Sequence, residues 1–173
     1  MFLIIPNLFT SNQCSFLIDL YEKNNHLAGE WRDTYPLLIE PRDDDKNIID
    51  SSILKEIKSL LCGFFNNNYI RIMEIVKWPT NSFQGKHFDK PINSLASITY
   101  LNHNFEGGQT CVEGEKLYVN PKVGTTFFFE GQKYEHNVLP ITNGIRYTLA
   151  VWYTKNPHYD PHGFHHQRGV FSA

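Results

Sequence analysis

The first third of the chain carries apolar residues at the spacing of helices. After a short apolar stretch at residues 2–5, which predicts a strand, the segment TSNQ has the form of a capping box, in which Gln13 reaches back to the N-cap Thr10. We therefore expect a helix from this point to about Lys23. Its buried stripe is predicted to consist of Phe16, Leu17, Leu20 and Tyr21.

A second helix is predicted from Asp50 to about Phe65, because apolar residues recur there with a helical period. The intervening residues 26–47 contain Trp31, Tyr35 and the run RDDDK, which predicts a loop or short irregular strands. We interpret this segment either as a solvated connector or as a lid over a pocket. The repeating apolar positions of the second helix are Ile53, Leu54, Ile57, Leu60, Leu61 and Phe64.

After the second helix the pattern changes to that of strands. Two helices followed by about eight strands indicate an α+β fold, in which the helices buttress a β-sandwich or jelly roll. Turn signals such as FEGG, NPKVG and ITNG separate the strand-like runs. These runs are YIRIMEIVKW, KHFD, SLASITYLN, TCVEG, KLYV, GTTFFFEG and IRYTLAVWYT.

The last of these strands has two different faces. One face carries the bulky residues Ile145, Tyr147, Leu149, Val151 and Tyr153, and it is expected to meet the helices. The other face carries Arg146, Thr148, Ala150 and Trp152. An arginine with such small neighbours lies either on a solvated sheet face or inside an open barrel, where it is costly unless it holds an anion.

Composition narrows the classes of function. A length of 173 residues with 41% hydrophobic residues predicts a single domain over residues 1–173 with a proper core, ending in a His-rich tail at about 156–173. The net charge of -2 and the pI of about 6.4 disfavour a nucleic-acid partner. No apolar run approaches the ~18 residues of a membrane span, so no membrane association is expected. Three widely spaced cysteines, without a disulfide or zinc pattern, indicate a reducing, cytoplasmic location.

Two histidine–aspartate pairs are candidates for metal binding. In KHFDKP, His87 and Asp89 are two residues apart, so on an extended strand both point to one face with Cα atoms roughly 6.6 Å apart. His158 and Asp160 have the same spacing, but they lie between prolines near the C-terminus and no strand is predicted after them. We therefore reject the second pair as the main centre. The nearby residues of the tail are interpreted as a surface segment, with binding of a divalent ion as the alternative; they are His162, His165 and His166.

A third ligand is available downstream of the first pair. His136 lies in KYEHNVLPITNGIRY and is followed ten residues later by Arg146. A nitrogen ligand from another strand would complete a facial triad of two histidines and one carboxylate. Such a triad leaves three positions of an octahedral metal open, which suits a bidentate cosubstrate together with dioxygen.

The sequence resembles the 2-oxoglutarate and Fe(II)-dependent dioxygenases, in particular their prolyl 4-hydroxylase-like branch. The N-terminal LIIPNLFTSNQCSFLIDL is similar to the strand and helix of that family, and the resemblance covers nearly the whole chain. The more specific motifs follow in the same order and at the same spacing as in the family. They are HFD, SITYLNHNFEGGQT, VNPKVGTTFFFEG and EHNVLPITNGIRYTLAVWY.

This resemblance implies a double-stranded β-helix with iron held by His87, Asp89 and His136. Arg146 would pair with the distal carboxylate of 2-oxoglutarate through two parallel hydrogen bonds, and Tyr100 would hydrogen-bond the same carboxylate. The implied reaction hydroxylates an unactivated C–H bond with O2 and yields succinate and CO2. Ascorbate is expected to restore iron that becomes oxidised without substrate turnover.

Two positions depart from the family pattern. Many peptide-hydroxylating members have a substrate-binding arginine near the position of Asn93, and the family commonly has a tyrosine where this chain has Trp78. Substrate contacts are predicted from the loops at residues 30–46, 80–85 and 103–108, since binding residues concentrate on loops. The candidate substrate or lid residues are Trp31, Tyr35, Trp78 and Trp152.

The expected substrate is a prolyl or other residue of a peptide or protein. Hydroxylation of a free amino acid or small metabolite is the alternative within the same chemistry, and a closed pocket rather than an open groove would favour it. Two alternatives to an oxygenase are considered. One is a jelly-roll binding module without catalysis, and the other is a cupin-like protein that uses zinc or manganese. The complete set of His87, Asp89, His136 and Arg146 disfavours both.

Overall fold

The computed structural model describes residues 1–39, 52–114 and 117–156. The whole RDDDK run at residues 42–46, the His158–Asp160 pair and nearly all of the predicted tail at 156–173 therefore lie outside the described residues. The described helices are α1 (Ser11–Asn24) and α2 (Ser52–Gly63), with a short 3-10 turn at Asn25–Leu27. The described strands are β1 (Phe2–Ile5), β2 (Tyr35–Leu38), β3 (Tyr69–Trp78), β4 (Gln84–His87), β5 (Leu95–Tyr100), β6 (Phe105–Gly107), β7 (Thr110–Val112), β8 (Leu117–Val119), β9 (Thr126–Phe129), β10 (His136–Val138), β11 (Ile141–Gly144) and β12 (Arg146–Thr154).

Helix α1 begins at the predicted capping box. The Thr10 side chain accepts a hydrogen bond from the Gln13 N–H at 3.2 Å, and the Gln13 side chain accepts one from the Thr10 N–H at 2.9 Å. Of the expected stripe, Phe16 is only half-buried and Cys14 takes its place in the core. Helix α2 ends at Gly63, so Phe64, which was expected in its stripe, lies beyond the helix and is 38% exposed.

The strands form two principal antiparallel sheets. The larger sheet has the order β1-β9-β5-β12-β3-β2, and the smaller one has the order β4-β10-β7-β8. Residues from both sheets pack together in one apolar cluster, which contains Ala96, Tyr100 and Phe127 from the larger sheet and Val112 and Val119 from the smaller one. The two sheets thus face each other as the predicted double-stranded β-helix.

The helices cover the other face of the larger sheet. Leu17 and Ile57 of the helices share a buried cluster with Met73, Leu149 and Val151 of the central strands. The alternation predicted for β12 is confirmed from Tyr147 onward. Ile145 was expected on the same face, but it precedes the strand and is 38% exposed. No helix within the described ranges combines the length and hydropathy needed to cross a bilayer.

Two segments predicted as turns are strands. FEGG and ITNG contribute β6 and β11, which pair with each other as a separate two-stranded sheet. This pairing requires glycine at position 107 for two reasons. A Cβ atom there would lie 2.1 Å from the Pro140 carbonyl oxygen, and the residue has a φ of +78°. Strand β10 was also not predicted, so ten strands follow α2 in the described chain where about eight were expected. All three strands have only three or four residues, too few for a clear alternating pattern.

Candidate active site

Two histidines meet across the neighbouring strands β4 and β10 of the smaller sheet. His87 is the last residue of β4, and His136, the first of β10, is its direct partner across the antiparallel ladder. Their ring centroids are 4.2 Å apart, and the His136 ring packs edge-on against Phe129 with centroids 4.7 Å apart. Strand pairing therefore brings together two imidazoles that are 49 residues apart in the sequence.

Backbone carbonyls fix the orientation of both imidazole rings. His87 Nδ1 lies 2.8 Å from the Gly85 carbonyl oxygen, and His136 Nδ1 lies 2.9 Å from the Tyr134 carbonyl oxygen. Because a carbonyl oxygen only accepts, each Nδ1 carries the proton and each Nε2 offers a lone pair. Burial lowers the pKa of His136, an effect that the hydrogen bond to Tyr134 partly offsets. The net lowering of the pKa favours the neutral form of His136, which is the form that binds metal ions.

Asp89 completes the cluster from a position just outside the strand. The spacing predicted that strand alternation would bring His87 and Asp89 to one face. Strand β4 ends at His87, however, so alternation does not orient Asp89. Instead, the Asp89 N–H donates to the Gly131 carbonyl oxygen at 2.9 Å. The Trp152 indole N–H donates to Asp89 Oδ1 at 3.1 Å, which is itself 4.0 Å from His136 Nε2.

The three side chains fit a metal ion. His87, Asp89 and His136 each offer one ligand atom, and these atoms all lie within 4.8 Å of one another. Asp89 Oδ2 is buried without a hydrogen-bond partner in the described chain, so the site lacks full compensation for a buried negative charge. Two neutral imidazole nitrogens and one carboxylate oxygen, arranged on one side, are the donor set typical of non-heme Fe(II) oxygenases.

Arg146 lies between the sheets and carries a buried charge. It is 1% exposed, and its Nη2 is 3.4 Å from Thr110 Oγ1, a weak hydrogen bond. Its Nε and Nη1 have no partner among the described residues. Burial lowers the pKa of Arg146, yet a guanidinium in a protein remains protonated. Arg146 therefore presents a fork of unsatisfied N–H donors that fits a carboxylate.

Aromatic rings enclose the Arg146 guanidinium. Its central carbon is 4.7 Å from the centroid of Trp78 and 5.3 Å from that of Tyr100. The Trp78 indole N–H donates to Thr148 Oγ1 at 3.1 Å. The hydroxyl of Tyr100 lies 2.8 Å from Oγ1 of Thr110, the residue that also contacts Arg146. Thr110 was not singled out in the sequence, because nothing in TCVEG marks its contact with two residues on other strands.

A family model confirms what this geometry indicates. The model of the 2OG-Fe(II) oxygenase superfamily matches residues 73–154, a segment that contains all three ligand candidates and Arg146. The matched segment, just under half of the chain, points to an oxygenase of the class that uses Fe(II) and 2-oxoglutarate. No curated protein matches the sequence significantly.

Several solved structures similar to this oxygenase are prolyl hydroxylases. The viral collagen prolyl hydroxylase vCPH from Paramecium Bursaria Chlorella virus-1, solved as a 2OG complex, superimposes with a TM-score of 0.67 at 19% identity over 88% of this chain and 94% of that chain. A Pseudomonas putida prolyl-4-hydroxylase gives 0.71 at 14% identity over 90% and 92%. A Trichoplax adhaerens prolyl hydroxylase, solved with a hypoxia inducible factor peptide fragment, gives 0.69 at 19% identity over 99% and 87%. At these identities the similarity establishes the fold.

The remaining predicted substrate residues of the oxygenase lie in different environments. Trp31 is 60% exposed and contacts Thr34 and Arg32. Tyr35 pairs with Lys77 across β2 and β3, which places it on the helix side of the larger sheet rather than between the sheets. Their contact with substrate stays a prediction. Trp78 and Trp152, by contrast, contact Arg146 and Asp89 respectively.

Asn93, where many family members have an arginine, is buried. Its Oδ1 accepts a hydrogen bond from Arg71 Nε at 2.8 Å. A guanidinium on β3 is thus held next to the segment that follows Asp89. Of the predicted substrate loops, residues 80–85 present an exposed aromatic, Phe83, which is 52% exposed, and residues 103–108 contain β6.

Proposed function

We propose that this oxygenase hydroxylates an unactivated C–H bond of a prolyl or other residue in a peptide or protein. In this proposal His87, Asp89 and His136 hold Fe(II), and Arg146 binds the distal carboxylate of 2-oxoglutarate. Succinate and CO2 are the co-products, O2 is consumed, and ascorbate maintains the reduced metal. The proposed catalytic domain extends over residues 1–173.

The Arg146 guanidinium is the observation that carries this proposal. A buried cation whose Nε and Nη1 have no partner among the described residues is costly for a fold, unless a ligand anion compensates it. The match of residues 73–154 to the superfamily supports 2-oxoglutarate as that anion, since it is the cosubstrate of the class. A zinc- or manganese-binding cupin would leave Arg146 unexplained.

Each side chain has a defined task in the proposed reaction. The two Nε2 atoms and the Asp89 carboxylate hold the metal, while Arg146 fixes the cosubstrate at its far end. Tyr100 and Trp78 position Arg146 through ring contacts, and Tyr100 is proposed to donate to the same carboxylate. When bound, Fe(II) with 2-oxoglutarate and O2 supplies the oxidising power that breaks a C–H bond. The closely packed rings around Arg146 exclude water from this part of the site.

The peptide class of substrate is supported by the Trichoplax adhaerens structure, which holds a peptide fragment and shares this fold. Trp31, Tyr35 and the exposed Phe83 are proposed to contact the substrate outside the barrel. A cytoplasmic location is supported by the wide spacing of the three cysteines and by Cys14 and Cys111, which are buried free thiols. Nucleic acid and membrane are not proposed as partners.

The decisive experiment is an anaerobic titration of 2-oxoglutarate into Fe(II)-loaded protein. We expect the visible charge-transfer band of a chelated 2-oxoacid in the wild type and its loss in His136→Ala. In Arg146→Ala the band should appear only at higher 2-oxoglutarate concentrations, because the affinity for the cosubstrate is weakened. Thr34→Ala, a buried polar residue outside the site, is the matched control and should retain the band. Metal binding without any band at saturating 2-oxoglutarate would contradict the proposal.

A second measurement separates the substrate classes. Succinate formation under air is measured with proline-containing peptides and, in parallel, with free amino acids. Stimulation of succinate release by a peptide supports the proposed substrate. Stimulation by free amino acids alone would replace it with small-molecule hydroxylation.

A further inference from the structure

The carboxylate ligand of the proposed metal site is held by residues that are distant in sequence. Asp89 lies outside β4, so strand geometry does not orient it. Three contacts do so instead. Its N–H donates to the Gly131 carbonyl oxygen at 2.9 Å, its Oδ1 accepts from the Trp152 indole at 3.1 Å, and its Oδ2 packs against the Cα atom of Gly131.

Gly131 leaves room for the carboxylate. A Cβ atom at this position would lie 2.1 Å from Asp89 Oδ2 and 2.7 Å from Asp89 Cγ, far inside van der Waals contact. Unlike Gly107 and Gly124, Gly131 does not have a positive φ, so its backbone conformation is open to any residue. The close approach of Asp89 is thus the reason that glycine is required here.

Trp152 holds the opposite oxygen. It lies on the interior face of β12, paired with Ala96 of β5 and Ile72 of β3, so its ring has a fixed support. An indole N–H can donate a hydrogen bond to a carboxylate but cannot accept one. A protonated His136, which also only donates, therefore cannot compete with Asp89 for the Trp152 N–H. The sequence pattern had marked Trp152 only as a substrate or lid candidate.

These contacts distinguish the two carboxylate oxygens. Asp89 Oδ1 lies 4.0 Å from His136 Nε2 and faces the imidazoles, whereas Oδ2 is buried against Gly131 without a hydrogen-bond partner in the described chain. We propose that Trp152 and Gly131 are positioning residues that orient the Asp89 carboxylate before the metal binds. This inference rests on the proposed function, in that Asp89 binds the metal.

The test measures metal affinity without turnover. Co(II) is titrated into the metal-free protein by calorimetry, without O2 and without 2-oxoglutarate, and the absorption spectrum of bound Co(II) is recorded. Trp152→Phe removes one N–H and keeps an aromatic ring, and it is expected to weaken Co(II) binding about 10- to 100-fold. Gly131→Ala is expected to weaken it at least as much and to change the Co(II) spectrum, because the carboxylate must rotate.

Tyr153→Phe is the matched control. Tyr153 is the neighbour of Trp152 on β12 and faces the helices, and its hydroxyl lies 3.1 Å from Ser97 Oγ, so removal of this hydroxyl should leave Co(II) affinity within about twofold of wild type. The melting temperature of each metal-free variant shows whether the fold is intact. If Gly131→Ala does not fold, Trp152→Phe decides the matter alone.

The outcomes are distinct from those of the proposed function. Wild-type Co(II) affinity and spectrum in Trp152→Phe would overturn the positioning role, whatever the fate of the oxygenase assignment. Equal weakening in Trp152→Phe and Tyr153→Phe would also overturn it, since the effect would then be general. Failure of the wild type to bind Co(II) would instead contradict the assignment of His87, Asp89 and His136 as ligands.

Discussion

The two faces of strand β12 are both buried, but they are built from different chemistry. The face towards the helices presents Leu149, Val151 and Tyr153, which pack in one cluster with α1 and α2. The face towards the smaller sheet presents Arg146 and Thr148, each 1% exposed. The first face buries apolar area, whereas the second buries a charge whose Nε and Nη1 lack partners in the part of the chain that the structure describes.

This difference separates stability from binding within a single sheet. Burial of apolar surface is the main favourable contribution to folding, so the helix side is expected to carry most of the stability. An uncompensated buried charge opposes folding and is retained where a ligand compensates it. Substitutions on the two faces should therefore give opposite patterns of stability and ligand affinity.

The largest expected effect is on the helix side. Phe128 is fully buried and its ring lies 5.1 Å from that of Phe65 and 5.6 Å from that of Phe64. Phe128→Ala should lower the free energy of unfolding by about 3–5 kcal/mol, because it removes apolar burial and leaves a cavity. Urea unfolding followed by circular dichroism measures this change. Phe64→Ala, at a residue 38% exposed, is the control, and an equal loss there would contradict the contrast between buried and exposed positions.

The interior face should respond in the opposite way. Arg146→Met replaces a buried guanidinium with an apolar chain of similar length, so the free energy of unfolding of the apoprotein should stay the same or increase. The same change should raise the Kd for 2-oxoglutarate about 100-fold, or ~3 kcal/mol, because the charge partner is lost. Calorimetry with Ni(II)-loaded protein measures the affinity. If Arg146→Met made the apoprotein less stable and left the affinity for 2-oxoglutarate unchanged, Arg146 would have a structural role rather than a role in binding.

The sequence predicts the helix face better than the interior face for a physical reason. Apolar alternation along β12 and the capping box at Thr10 are local patterns, and both are confirmed. The spacing of His87, Asp89 and His136 identifies three residues that the structure brings together. Contacts such as that between Gly131 and Asp89 cannot be predicted in this way, since they join residues 42 positions apart through the closure of the barrel.

Short strands are also difficult to predict from sequence patterns. FEGG and ITNG are rich in glycine and polar residues, so they indicate turns, yet β6 and β11 pair with each other. Cys14 is likewise fully buried in α1 where Phe16 was expected, because the helix presents a slightly rotated face to the sheet. Tertiary pairing decides these positions, and periodicity alone does not specify it.

A smaller effect is expected at the start of α1, which supplies part of the helix face. Thr10→Ala removes the side-chain acceptor for the Gln13 N–H and should lower the free energy of unfolding by about 1 kcal/mol. Thr10→Ser retains the hydroxyl and is the matched control. Thermal unfolding measures both variants, and 2-oxoglutarate affinity should not change in either. A change in that affinity would show that the two faces are coupled.

The smallest predicted effect concerns a polar group on the helix face itself. Glu22 of α1 accepts a hydrogen bond from the Tyr147 hydroxyl, and one of its carboxylate oxygens lies 3.0 Å from Lys77 Nζ. These hydrogen bonds, with that from Tyr147 the largest cause, lower the pKa of Glu22. A carboxyl whose folded pKa is depressed stabilises the fold above its unfolded pKa of about 4.3, and this contribution is lost as the pH falls through the folded pKa.

The contribution of Glu22 is therefore a function of pH, unlike that of Phe128. Because the Glu22 side chain is 40% exposed, its contribution should stay below about 1 kcal/mol at neutral pH. The difference in unfolding free energy between wild type and Glu22→Gln should be constant from about pH 8 to 6 and should shrink below about pH 4. Phe128→Ala, compared over the same range, should show no such trend, since it removes no titrating group. A difference for Glu22→Gln that persists unchanged in acid would show that packing, rather than charge, holds α1 at this edge of the sheet.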